Sequence, residues 1–89
     1  MTKDEIGKKV QEFIRTNFLF DAERQVEETQ SLLGTGVVDS TGILEMISFL
    51  EVNFGVKFND EELVAENFDS VERITEFLFR KLHKSNGNM

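Results

Sequence analysis

The sequence predicts an all-α fold, and three observations carry that prediction. No proline interrupts the 89 residues, so helix is permitted along the whole chain. Apolar residues recur at spacings of three and four in separated stretches, the period of an amphipathic helix. Thr2–Glu5, Asn59–Glu62 and Asp69–Glu72 each place a capping residue three positions before a glutamate, the signature of a helix start. Nothing reads as a strand beyond the isolated Val56-Lys57-Phe58.

The first helix is expected over Lys3 to Phe18, where Ile6, Val10, Phe13, Ile14 and Phe18 form one face. From about Leu19 to Asp39 the stripe is lost. Leu32-Leu33 and Val37-Val38 flank Gly34 and Gly36, a pattern of a loop whose ends are pinned to a core. A connection this long in a small domain is more often anchored or functional than idle. The second helix is expected from Ser40 to Phe54, burying Ile43, Ile47, Leu50 and Phe54 and stopping at Gly55. Leu44 falls off that stripe, beside Glu45, Ser48 and Glu51. A short third helix follows, capped by Asn59 and anchored by Leu63 and Val64. The last is capped by Asp69 and turns Val71, Ile74, Leu78 and Leu82 inward. The expectation is a four-helix bundle with a short third helix and a long first loop. Residues 1–82 make one domain, and 83–89 a flexible polar tail.

Composition removes several functions. Without cysteine there is no disulfide scaffold, thiolate metal site or thiol nucleophile. The single imidazole, His83, lies in the tail, and Ser40 lacks the glycine-framed setting of a hydrolase nucleophile. Asn59-Asp60-Glu61-Glu62 lacks the alternating spacing of a calcium loop, and Gly34-Thr35-Gly36 is followed by no lysine in P-loop register. The chain therefore reads as a non-enzyme with no metal site. Its net charge of −7 is concentrated between Asp39 and Glu76. That charge argues against nucleic acid and anionic membranes as partners and is compatible with a basic protein surface. The amino terminus has no apolar signal region, and no run reaches membrane-span length. A soluble, cytoplasmic monomer is expected.

Ser40 draws separate notice. The second helix, if capped by Asp39, has Gly42 where the other three helix starts carry glutamate. A glycine there leaves backbone N–H groups accessible, and a helix N-terminus favours phosphate through those donors and its dipole. On local chemistry alone a plain cap, as at Asp69-Ser70, is the stronger reading of Asp39-Ser40.

Resemblance shifts the balance. Gly36-Val37-Val38-Asp39-Ser40-Thr41-Gly42-Ile43-Leu44-Glu45-Met46-Ile47 resembles the attachment region of acyl carrier proteins. Phe49 to Leu63, with its Phe-Gly helix end and Asp-Glu-Glu turn, is similar to the same family, as is, more weakly, Glu66 through Val71. The likeness spans nearly the whole chain. It implies a four-helix bundle of the acyl-carrier type bearing 4′-phosphopantetheine on Ser40, transferred from coenzyme A by a phosphopantetheinyl transferase. An acyl- or aminoacyl-loading ligase and acyltransferases would then be partners, recognising Asp39, Thr41, Leu44, Glu45, Ser48 and Glu51. Cargo would travel as a thioester, and the carrier itself would catalyse nothing. Thr41 and Gly42 depart from the leucine or methionine and the acid common after the serine. Ser48 and Val52 stand where fatty-acid carriers commonly show methionine and glutamate. These departures suggest a specialised carrier for a secondary metabolite, an envelope component or an aminoacyl group. The alternatives are an unmodified acidic interaction domain and a divalent-responsive acidic protein.

Overall fold

The computed structural model describes residues 1–19 and 26–87, with side chains through residue 83. Among the described residues three α-helices follow in order: α1 (Lys3–Phe18), α2 (Ser40–Phe54) and α3 (Val71–Gly87). Two 3₁₀ turns, Asp60–Glu62 and Ala65–Phe68, lie between α2 and α3, and no strand occurs among the described residues. The fold is all-α. The boundary expected after residue 82 falls inside α3.

α1 starts where the sequence places it. The Thr2 hydroxyl accepts from the Glu5 N–H while the Glu5 carboxylate accepts from the Thr2 N–H, a reciprocal box that satisfies two of the helix's orphan donors. The Thr2 N–H, and with it the Thr2 hydroxyl, donate to the exposed Glu5 carboxyl and hold it below its ordinary value. Ile6, Val10 and Ile14 are fully buried, while Phe13 and Phe18 are half-buried at the edge. α1 packs on α3, whose Val71, Ile74 and Leu78 are buried as expected, with Leu82 half-buried. α2 buries Ile43, Met46, Leu50 and Phe54. Ile47, expected inward, sits half-buried while Met46 takes the central place. Phe58, Phe68 and Phe77 form a second aromatic group with ring centroids 5.4 to 5.9 Å apart, spacings at which edge and offset contacts are favourable.

The expected short third helix is instead a pair of 3₁₀ turns. Its capping box forms, with Asn59 and Glu62 exchanging side-chain and backbone bonds. Propagation then stops. The Glu62 carbonyl accepts from the Val64 N–H at 2.9 Å and from the Asn67 side-chain amide at 2.9 Å, so the acceptor a continuing helix would use is taken. Leu63, at φ −83 and ψ 60, forms an inverse γ-turn between them. Leu63 and Val64 are consequently exposed, 42% and 44%, and Phe68, 1% exposed, is the anchor. The Glu62 carboxylate also pairs with Lys81 of α3 at 2.9 Å.

Of the expected long connection, residues 20–25 lie outside the described residues; the part from 26 to 38 is tied down at several points. Leu32 and Val38 are buried, and Leu33 and Val37 half-buried, in agreement with pinned loop ends. Asp69 holds the segment: its carboxylate accepts from the Ser31 hydroxyl at 2.8 Å and the Leu33 N–H at 2.9 Å. Its carbonyl accepts from the Leu32 N–H at 2.6 Å. The Glu28 carbonyl accepts from the Glu72 N–H, and the Val26 carbonyl from the Gln11 side chain. The expected cap on the last helix is thereby corrected. α3 begins at Val71, and the Ser70 hydroxyl, not Asp69, accepts from the Arg73 N–H at 3.1 Å. Asp69 is committed to the loop, and Glu72 lies within the first turn without closing a box around it.

Two predictions follow from these ties. Asp69→Ala strips a half-buried site of an acceptor serving two donors, and urea denaturation should show a loss of about 2–3 kcal/mol, against about 1 kcal/mol for Ser70→Ala, which removes only a cap. The second concerns pH. A hydrogen bond from the Lys3 ammonium at 2.8 Å, reinforced by its charge, lowers the carboxyl pKa of Glu76 in α3 from its ordinary 4.5. The folded-state value is depressed, so the stabilisation is present above the ordinary value and lost as pH falls through the folded one. Stability curves of Lys3→Ala should accordingly be flatter below pH 4.5, by a small margin because both side chains are about half exposed.

Candidate functional site

Ser40 is the first residue of α2 and is exposed. Its position follows from the elements on either side. Upstream, Val38 is buried and its N–H donates to the Leu32 carbonyl at 3.1 Å, so the chain enters the helix from an anchored loop. Downstream, Ile43 and Met46 bury the inner face of the first turns. Asp39 between them is extended, φ −100 and ψ −176, and caps the helix. Its carboxylate accepts from the Gly42 N–H at 2.8 Å, and its carbonyl from the Ile43 N–H at 3.0 Å.

That geometry corrects the expected role of Gly42. Its N–H is engaged by Asp39, and the residue is buried rather than accessible. Glycine is required for packing: a Cβ there would lie 2.8 Å from a Phe18 ring carbon and 2.8 Å from a Val38 methyl. The end of α1 and the end of the loop therefore close on the first turn of α2 at a point where no side chain fits. The N–H groups of Ser40 and Thr41 are the ones at this terminus that Asp39 does not engage. A helix start offers such donors to an anion. Among the helical residues of the first turn none is acidic, and the one carboxylate at this terminus is that of the cap, Asp39.

The remaining predicted residues fall on α2. Thr41, Leu44, Glu45 and Ser48 are exposed, Leu44 to 66%. With Val52 they lie within about 100° of one another around the helix axis, so the structure brings them onto one outer face. Glu51 differs. It is half-buried, and its carboxylate accepts from the Phe58 N–H at 3.0 Å, which ties the segment after α2 back to the helix. Val52, by contrast, is 81% exposed, more than any other large apolar side chain described. Its signal in the sequence was its place outside the apolar stripe of α2.

The other candidate features do not join this site. His83 lies against Phe79 with ring centroids 4.1 Å apart and the ring planes tilted by 39°. A groove of about 820 Å³ between α1 and α3 is lined by Lys3, Gly7, Gln11, Thr75 and Glu76 among others, and by none of the residues just named. The Thr75 hydroxyl at its wall is buried without a hydrogen-bond partner among the described residues. No cluster of three potential metal-ligating side chains occurs among the described residues. Nor, among them, is any helix long and apolar enough to cross a membrane. No protein-family model matches the chain, and no curated protein matches it.

The close approach at Gly42 makes a signed prediction. In the parent background Gly42→Ala should destabilise by about 1–2 kcal/mol, because overpacking outweighs the better helix propensity of alanine. In a Phe18→Ala background, with part of the clash relieved, the same substitution should cost at least about 1 kcal/mol less. A double-mutant cycle in urea measures the difference.

Proposed function

We propose that the protein is a carrier that bears 4′-phosphopantetheine on Ser40 and moves acyl or aminoacyl groups as thioesters between partner enzymes. The observation that supports this most is the setting of Ser40: an exposed hydroxyl on the first residue of a helix, with that helix's first turn packed against α1 and the loop. The resemblance of residues 36–63 to the attachment region and following helix of acyl carrier proteins supplies the chemistry. In this reading the fold is of the acyl-carrier type, with the two 3₁₀ turns in place of a short third helix.

The modification is a phosphoryl-group transfer. The Ser40 hydroxyl attacks the phosphorus of coenzyme A that bears pantetheine, a phosphodiester forms, and adenosine 3′,5′-bisphosphate leaves while the serine proton passes to a base of the transferase. The helix N-terminus favours the resulting phosphodiester anion. Loading is then the work of a separate ligase: a carboxylic acid activated as an acyl adenylate is attacked by the arm's terminal thiol, releasing AMP and leaving a thioester. The polypeptide contributes no acid, base or nucleophile of its own beyond Ser40 in the first step; in the second the nucleophile is the thiol of the arm it bears. Its contribution is tethering, which raises the effective concentration of cargo at each enzyme that docks α2. Partners are thus a phosphopantetheinyl transferase, a loading ligase and acyltransferases, met by a cytoplasmic monomer. Thr41-Gly42, Ser48 and Val52, unlike the residues common in fatty-acid carriers, favour a specialised pathway.

The intact mass after incubation with coenzyme A, magnesium and a broad-specificity phosphopantetheinyl transferase tests the reading. One phosphopantetheine should be gained by the parent and by Ser70→Ala, and none by Ser40→Ala. Absence of gain in the parent, with a control carrier modified in the same tube, would leave two options: Thr41 and Gly42 demand a dedicated transferase, or the fold serves protein binding alone.

A further inference from the structure

The space along the inner side of α2 is filled by phenylalanine rings. Under its first turn lies Phe18, one ring carbon of which is 2.8 Å from where a Cβ on Gly42 would stand. Phe18 meets Phe13 edge-on at 5.7 Å between centroids, and Phe13 of α1 stacks on Phe49 of α2 at 4.0 Å. Phe49 in turn meets Phe54 edge-on at 6.5 Å. The row thus follows α2 from its first turn to its last residue, about 18 Å. On the side of the 3₁₀ turns, Phe68 is 1% exposed and meets the rings of Phe58 and Phe77. Ser40 faces away from the row. It is turned by about 160° from Gly42 and about 180° from Phe49 around the helix axis, and it is exposed where Gly42 is buried.

Resting on the carrier reading, we propose that the phenylalanine row keeps cargo out of the core, and that the cargo is accordingly a short polar acyl group, aminoacyl or hydroxyacyl, rather than a long alkyl chain. An arm on Ser40 starts on the outer side of α2. For a guest chain to turn inward it must part Phe18 from Gly42, unstack Phe13 from Phe49, or displace Phe68 from its two neighbours. A core packed ring on ring takes in further methylenes only by moving what is already there, which is unfavourable. An alkyl cargo left outside keeps its apolar surface in water, and that surface favours burial. A short polar cargo has no such demand. Of the cargo classes that the resemblance leaves open, the filled core selects the polar ones. The thioester then stays in solvent on the carrier and is sheltered only within a partner enzyme.

The chain has no cysteine, so the thiol of the arm is the only thiol in the protein. The arm-bearing protein purified from its own cells is acylated with acetylimidazole or octanoylimidazole: the sulfur takes the acyl group, and imidazole leaves with the thiol proton. Intact mass then shows one acyl group that hydroxylamine removes. Thermal midpoints of the two acyl forms should agree within about 3 °C, less than burial of several methylenes would produce. Cleavage of the two thioesters by hydroxylamine should run at rates within about threefold, as for a group reached without any opening of the fold. Phe49→Ala, which opens the middle of the row, should make the octanoyl form more stable and slower to cleave than the acetyl form, beyond both limits, because apolar cavities left by truncation take apolar guests. In the parent, stabilisation or protection by the octanoyl chain beyond either limit overturns the proposal while leaving the carrier intact, and that comparison stands whether or not the variant folds. A folded variant still indifferent to chain length overturns the part given to the row. Ser40 found without an arm in the protein from its own cells overturns the carrier reading and this proposal together.

Discussion

The grip of Asp69 on the long connection is the interaction on which the rest of the structure depends. α1 packs on α3, and Ile6, Val10, Ile14, Val71, Ile74 and Leu78 are buried. Nothing in that pair tells α2 where to begin. One aspartate, through its carboxylate and its carbonyl, receives Ser31, Leu32 and Leu33. It thereby fixes the stretch that delivers Val38 to the core and Asp39 to the helix cap. The entropy lost in ordering residues 26–38 is substantial. Offsetting it takes bonds made to a charged acceptor in a half-buried place, which are among the stronger hydrogen bonds available.

From that clamp the site follows as geometry. With Val38 seated, the α2 N-terminus meets the end of α1, and Gly42 lets the Phe18 ring approach the helix backbone. Ser40 is left on the outside of a first turn whose inside is closed. A packed turn beneath the hydroxyl and open space above it suit the attachment proposed for Ser40. The same division continues down α2: its inner residues fill the core, Glu51 folds back to the following segment, and the outer arc stays uncharged apart from Glu45.

Much of this was legible in the sequence, and the parts that were not have a common cause. The α1 start, the buried face of α1, the Asp39 cap and the pinned ends of the long connection all rest on local pattern, which a single sequence displays. Asp69 did not yield to that reasoning. Beside a serine at a helix start, an aspartate is a cap on local evidence, and only the distant Ser31 and Leu33 reveal its other use. The third helix failed for a similar reason, since its capping box is real but Asn67 and Val64 occupy the carbonyl it needed. Gly42 seemed to open a backbone, whereas Phe18 closes it. In each case a contact remote in sequence competes with a local preference and prevails. Ser40 itself was visible through its neighbours' resemblance to a family, and its exposure is what the fold adds.

The most direct measurement is peptide mapping by tandem mass spectrometry of the protein purified from its own cells, with the peptides containing Ser40 and Ser70 both covered. The account predicts a phosphodiester-linked pantetheine arm on Ser40 and nothing on Ser70. Full coverage of Ser40 in unmodified form, under conditions that preserve the arm on a control carrier, would contradict it.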